Sequence, residues 1–416
     1  MSTHARRNNV MKPKMRALQI TPFSRNDGDY LHLHDPLGFA SDAAVAVELA
    51  QLLSLFDGLH SPAQIIASYR ALGGEELPLA FIEKTIADLD ENLMLDSPRL
   101  VEKMNAFDRL PTRPAALAGM SYPDDARELG TLLDGFFAQA QKLKQPHMST
   151  HAAGKTPRGI VVPHIDFTRG GPVEALAYDA LGSEHFDVLV VLGIAHNGVR
   201  YPFCATEKDY ETPLGICATD KEFVQELQSR VGERLTREQI AHKNEHSIEF
   251  VAVFLQHLEH LKNTRIVPIL CGGFHNEARS GDSPENNPDI AQFIGALREI
   301  VRQRESQGQR VGLIASVDGA HVGSRFGDDE PLTPQRLQKI EQADREWIRC
   351  IEEGDAEGLH VHFARDNNAR NVDAYPALYT LMKAFPDLRG QFLHYAQAFD
   401  EPANSLVSFA SMSLFR

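Results

Sequence analysis

Six side chains set the terms for what this sequence could do: His164, Asp166, His196, His246, Asp318 and His321. Three of the histidines follow strand-like apolar runs. His164 and Asp166 come after Gly159, Ile160, Val161, Val162 and Pro163; His196 closes the run 187–195; Asp318 and His321 follow the run that begins at Val311. A continuous hydrophobic run reads as a strand buried on both faces. In open α/β sheets, ligands bind just beyond the carboxyl ends of such strands. Three runs that each deliver a histidine at the same end point to one site. Two histidines with one carboxylate suit a non-haem Fe(II) ion with open positions. His164 and His196, at equivalent strand ends, favour a metal or catalytic role, and three further groups lie close by in sequence. Asp166 lies two residues beyond His164, on the same face of an extended chain. Gly319 permits a tight turn that could aim either Asp318 or His321 at the crevice.

His246 sits differently. It follows Asn244 and Glu245 and opens a helical stripe of Ile248, Val251, Leu255, Leu258 and Leu261, with Asn244 as the expected cap. The positive end of a helix disfavours protonation of an imidazole in its first turn, which leaves a neutral group fit for hydrogen-bond donation or acid–base work. Arg169 and Arg325 flank the same region in sequence and could hold an anionic group. Cys204, Cys217 and Cys271 lie in apolar stretches and read as small buried hydrophobes rather than soft ligands. Gly170 and Gly171 read as a tight turn. There is no G-x-S-x-G elbow and no H-E-x-x-H helix, so the common hydrolase and metalloprotease templates lack support.

The elements that must position these groups alternate. Strands are expected at 159–163, 187–193, 265–271 and 311–317, with two more near 391–397 and 405–411. Helices are expected at 172–182, 219–229, 246–262, 288–305, 333–353 and 374–385. This pattern implies an α/β fold, a mixed and mostly parallel sheet with helices on both faces. The last two strands alternate and adjoin, so part of the sheet is antiparallel.

Before this lies a smaller module, expected over 15–105. Residues 15–20 and 30–34 alternate like a hairpin around Asn26, Asp27 and Gly28, with His32 and His34 on one solvent-facing side. Three helices follow, the first after Ser41 and Asp42, the second after Ser61 and Pro62, and the third presenting Phe81, Ile82, Ile86, Leu89 and Leu93. Short strands with three helices make a winged-helix-like α+β module. Its third helix carries Glu83, Asp88, Asp90 and Glu91 against Lys84, which would repel a phosphate backbone. A net charge of −15 points the same way, away from nucleic acid. A proline-bearing stretch at 107–120 reads as a linker, residues 1–15 as a disordered basic tail and 144–157 as a mobile polar segment. With 416 residues and 43% hydrophobic content, two domains are expected, the second over 118–416. Four scattered cysteines, no signal-peptide core and no apolar span argue for a cytoplasmic protein without a membrane partner.

The second domain resembles a known family. Val162, Pro163 and His164; Leu192, Gly193, Ile194, Ala195 and His196; Glu245, His246, Ser247, Ile248 and Glu249; Ile266, Val267, Pro268, Ile269 and Leu270; and Ser316, Val317, Asp318, Gly319, Ala320 and His321 occur in the order seen in the MEMO family. That family is also called AmmeMemoRadiSam system protein B. Tyr395, Ala396 and Gln397, then Val407, Ser408, Phe409, Ala410 and Ser411, look like its closing strands. The small module is similar to PqqD-like peptide-binding domains. The resemblance implies a fold like that of class III extradiol dioxygenases and an iron or copper cofactor. It implies His164 and His196 as metal ligands and His246 as a neighbouring pocket histidine. It also implies radical SAM and AMMECR-like partners, with an unknown small molecule or peptide as substrate. The sequence departs from the usual P-H-A-G-Y at Ile165, Asp166 and Phe167, and Ala320 stands where some relatives carry a cysteine ligand. Family position then favours the Asp318–His321 segment, and His321 is expected as the third ligand, with Asp166 and Asp318 orienting imidazoles and His246 acting beside the ion. The function expected is a metal-dependent, dioxygenase-like oxidoreductase; the competing class is a peptide- or partner-binding protein that works with a radical SAM system.

Overall fold

The computed structural model describes residues 12–144 and 155–416. The basic tail up to residue 11 and the polar stretch 145–154 lie outside the described residues. The chain divides into two compact units, Met1–Leu110 and Pro111–Arg416.

In the first unit, strand Gln19–Arg25 pairs antiparallel with Gly28–His34, and Arg25 stands opposite Gly28. Asn26 and Asp27 therefore form the two-residue turn that such a pair favours. Ala43–Ala46, where a helix is expected to open after Ser41 and Asp42, is instead a strand along the other edge of Gly28–His34, and the helix is the short turn Ala50–Leu53. Helices Pro62–Ala71, Leu79–Glu91 and Pro98–Arg109 follow. The first opens on a capping box in which Ser61 and Gln64 serve each other's backbone N–H groups, with Pro62 where its missing N–H costs nothing. Leu52, Phe56, Ile65, Ile82, Ile86 and Leu95 make the core. The first strand begins at Gln19 rather than Met15. Met15 forms a single bridge to Leu95, while the Arg16 guanidinium reaches both oxygens of buried Asp35 at 2.8 Å.

The second unit is built on an eight-stranded mixed sheet with a helix-covered core on each face. Its centre is four parallel strands in the order Gly159–Val162, Val311–Ser316, Val188–Ile194 and Arg265–Cys271. Every residue of the first three is buried, which is why they read as unbroken apolar runs. Ser405–Phe415 lies antiparallel to Gly159–Val162 and pairs with Arg389–Asp400 on its other edge. Arg389–Asp400 and the short strand Phe203–Ala205 close the two ends, and His321–Gly323 pairs with Ser405–Val407 on the same edge as Gly159–Val162. The chain passes from 159–162 to 188–194 around the intervening strand 311–316. That crossing opens the crevice in which α/β sheets hold ligands.

Two local expectations change. The stretch read as a linker is packed from its middle onward: Thr112–Arg113 pairs with Asp209–Thr212, and Arg113 is fully buried. Helix Phe167–Asp179 starts five residues earlier than residue 172, because Asp166 caps it through the Arg169 N–H. Gly170 and Gly171 thus lie inside a helix, not in a turn. A Cβ at Gly171 would stand 2.5 Å from the Phe136 ring, so the glycine there permits close contact with helix Ala126–Leu143. No helix among the described residues is long and apolar enough to cross a membrane.

Candidate metal centre

Strand ends and one helix start bring His164, His196 and His246 together. His164 lies two residues past Gly159–Val162, and His196 two residues past Val188–Ile194. His246 is the first residue of helix His246–His257, capped by Glu245 rather than Asn244. That helix start abuts the strand end because residue 193 is glycine. A Cβ there would fall 2.6 Å from Ser247 Oγ and 2.7 Å from Ile248. Ser247 fastens the junction: its hydroxyl accepts from the Ile194 N–H at 3.0 Å, and its carbonyl accepts from Ser316 Oγ at 2.6 Å. Arg113 braces the same segment from below, donating to the carbonyls of His242 and Glu245 at 2.7 and 2.9 Å and pairing with Glu249.

The ring centroids of the trio are 4.5–5.0 Å apart. One ligand-capable atom from each lies within 4.8 Å of the others. Each Nδ1 is already committed. In His164 it donates to the Ser316 carbonyl at 2.9 Å. In His196 and His246 it faces one oxygen, Glu245 Oε1, at 2.9 and 3.2 Å. The nitrogen left for an ion in every ring is therefore Nε2, which in His164 and His196 faces the Asp373 carboxylate. Metal-binding imidazoles are oriented in just this way, with the second nitrogen bonded to a carboxylate or carbonyl.

The local field favours a positive charge at the centre. Burial would depress His164, but Asp318 and Asp373 hold it above its ordinary value. Burial opposes the charge on His196 too, yet Glu245 and Asp373 raise it well above that value. Glu245 is buried, which alone would raise it, but His196 and His246 hold it well below the carboxylate range. Burial dominates at His246 and lowers it despite Glu245, in the direction expected from its place at a helix start.

The other expected residues fall as follows. Asp318 takes the His164 backbone N–H on Oδ1 at 3.0 Å, positioning that residue's main chain. Asp166 orients no imidazole; its carboxylate is held by Thr168 and Arg169 at the helix start. His321 stands outside the trio. It begins the short strand paired with Val407, which turns it toward the carbonyls of Gly319 and Asn371, 3.1 and 3.2 Å from Nδ1. Arg169 and Arg325 both reach the cavity of about 390 Å³ that also takes in the trio, Leu117, Ile165, Phe250, Phe326 and Val407. Arg169 is paired with Asp166, whereas Arg325 makes no ion pair among the described residues. Cys204, Cys217 and Cys271 are buried in the core with thiols pushed upward by desolvation. Sequence reasoning missed Asp373, whose Oδ2 lies 3.2 Å from His164 Nε2 and 3.6 Å from His196 Nε2. An aspartate ahead of a helix signals a cap and nothing more.

A Memo-like protein family model matches residues 113–413. A MEMO1 family protein of Aquifex aeolicus is 29% identical over 413 residues, covering 97% of this chain and all of its own length. MEMO1 family proteins of Pyrococcus furiosus and Thermus thermophilus are 28% and 24% identical, covering 72% and 73% of this chain and 98% and 82% of their own. With its strand ends, helix start and three convergent imidazoles in one matched segment, the chain belongs to the Memo-like family.

Proposed function

We propose that this protein is a mononuclear metal-dependent oxidoreductase of the dioxygenase-like kind, with iron as its ion and copper as the runner-up. The observation that carries the reading is the convergence of three imidazoles, one nitrogen of each within 4.8 Å of the others, with every ring oriented by a contact at its Nδ1. Iron or copper held there would supply Lewis-acid and one-electron chemistry at open coordination positions. The chain's own groups supply the rest. Glu245 keeps two imidazoles in the ligating tautomer, and Asp318 fixes the backbone of the third. Leu117, Ile165, Phe250 and Phe326 give the cavity apolar walls, and Arg325 offers a cation in its lining. Such a pocket suits a small molecule, or a peptide side chain, with an apolar body and one anionic group.

Metal analysis of the freshly purified full chain tests this. About one equivalent of iron is expected, and His196→Ala should abolish it. A metal-free chain that takes up neither iron nor copper would overturn the reading in favour of a peptide- or partner-binding role.

A further inference from the structure

We infer that a basic cleft at the end of the sheet opposite the histidine trio binds the phosphoryl group of a small molecule. The inference is independent of the metal reading, and the two can fail separately.

Three arginines come together there because of where they stand on their strands. Arg158 directly precedes Gly159–Val162, Arg310 directly precedes Val311–Ser316, and Arg416 directly follows Ser405–Phe415. The first two strands are parallel neighbours, and the third runs antiparallel to the first. Their two starts and one finish therefore lie at the same end of the sheet. The main chain of Arg158 is held between its neighbours: its N–H donates to the Leu414 carbonyl at 2.7 Å, and its carbonyl accepts from the Leu313 N–H at 3.0 Å. With Thr156, Glu305 and Gln309, the three arginines line a cleft of about 350 Å³. That volume lies within the range of small-molecule pockets.

Charge in the cleft is unevenly matched. Arg310 is paired with Glu184 from outside the lining, which leaves Arg158 and Arg416 to share the carboxylate of Glu305. Arg158 Nη1 lies 2.5 Å from Glu305 Oε1, and Arg416 Nη1 lies 3.2 Å from Oε2. The Arg158 side chain is only 11% exposed, and its guanidinium packs over the Phe385 ring at 5.4 Å. Its Nε and Nη2 are buried with no hydrogen-bond partner. A buried cation with one nitrogen answered and two unanswered carries a desolvation cost that half a carboxylate does not offset. Burial lowers the Arg158 guanidinium below its ordinary value; Glu305 opposes this and Arg416 adds to it. All of this occurs in a chain whose net charge is −15, where a cluster of surplus cations is the exception.

An oxyanion seated among these groups would answer the unused N–H groups and relieve the repulsion between Arg158 and Arg416. Guanidinium groups arriving from three strands suit a phosphoryl group, which presents three strong acceptor oxygens and nearly two negative charges. A carboxylate presents two oxygens and one charge. The body of the ligand would meet Phe186, which also lines the cleft and carries the Arg310 guanidinium over its ring at 5.5 Å.

The test is calorimetric titration of the full chain, as purified and stripped of metal, with inorganic phosphate at an ionic strength matched with chloride. Arg325→Gln serves as the parent, so that the cation of the metal cavity cannot hold the anion. A saturable phosphate site is expected in that parent, with and without metal. Adding Arg416→Gln, on a side chain 45% exposed, should weaken it at least about tenfold, as losing a charge-assisted hydrogen bond does. Acetate should bind more weakly than phosphate. No saturable site in the parent, or equal affinity with and without Arg416→Gln, would overturn the inference and leave the metal reading untouched. Acetate binding as tightly as phosphate would overturn the phosphoryl assignment.

Discussion

The two units each bring histidines together, and they do so to opposite ends. In the first, His32 and His34 share a face of strand Gly28–His34 with rings 6.3 Å apart. Their side chains are 41% and 45% exposed, and each spends a nitrogen on Asp42, at 2.9 and 2.8 Å. In the second, His164, His196 and His246 converge from three elements, each with Nδ1 engaged and Nε2 left for an ion. Burial alone does not make the difference. His242 is fully buried, but its Nδ1 meets the Tyr210 hydroxyl at 2.7 Å and its Nε2 the Cys204 carbonyl at 3.0 Å. His360 is likewise satisfied at both nitrogens, by Tyr375 and the Gly281 carbonyl. What marks the trio is that, once each Nδ1 is fixed, the second nitrogens turn toward one another and toward the Asp373 carboxylate, 3.2 Å from His164 and 3.6 Å from His196, instead of ending on the neutral groups that satisfy His242 and His360.

This comparison can be broken most severely at Glu245. One carboxylate oxygen faces two of the three imidazoles, and the other accepts the His196 N–H at 3.0 Å. Glu245→Gln is expected to cost roughly 10–100-fold in metal affinity, read by titrating Co(II) into the stripped chain. The double substitution His32→Ala with His34→Ala should leave the same titration unchanged. Equal losses from both would mean that the exposed pair binds the ion and that the contrast between the units is mistaken.

Much of the second unit was legible because burial on both faces writes itself as an apolar run. Strands 159–162, 188–194, 265–271 and 311–316 all lie within a residue or two of their expected spans. His164 and His196 were legible for the same reason, since a sheet's carboxyl edge gathers whatever follows its strands. His321 misled because the run before it ends at Ser316, five residues earlier. The chain then starts a new strand, which pairs with Ser405–Phe415, so the imidazole lines the same cavity as the trio without joining its three converging rings. His246 could be placed on a helix start, but not beside His196, because that proximity depends on Gly193 and on the Ile194–Ser247 hydrogen bond, made across 53 residues. Arg113 was hidden by neighbouring prolines that look like linker. Its partner Glu249 lies 136 residues away. Long-range polar contacts of this kind leave no local periodicity to read.

A smaller effect sharpens the contrast between the trio and the satisfied buried histidine. Desolvation holds His242 down at about 3, below the value of about 6.5 expected in the unfolded chain. Between these values the unfolded state binds a proton that the folded state does not, so stability must fall as pH falls. The contribution is complete above about pH 6.5 and is lost at up to about 1.4 kcal/mol per pH unit below it. In denaturant titrations of the stripped chain, His242→Gln should show a shallower decline than the wild type from pH 6.5 to 4.5. Parallel curves would show that His242 accepts a proton without cost, and that its two hydrogen bonds do not fix it as neutral.

The smallest effect is expected at Asp42. Its side chain is 51% exposed and lies between two imidazoles that are nearly as open. The carboxyl is held below its ordinary value, chiefly by the hydrogen bond from His34. Water and salt screen such pairs, and ordering the side chains costs entropy, so exposed ion pairs contribute about 0–1 kcal/mol. Asp42→Ala should therefore change the stability of the full chain by no more than about 0.5 kcal/mol. The change should shrink further in 1 M salt, where the screening length is about 3 Å. Asp42 also shows why proximity of histidines is a weak guide. It occupies one nitrogen of each ring from outside, so nothing buried and unpaired remains for an ion to satisfy. If Asp42→Ala instead lowered stability by several kcal/mol, or if the freed pair retained a tightly bound ion through dialysis against chelator, the exposed pair would be a site of the same kind as the trio.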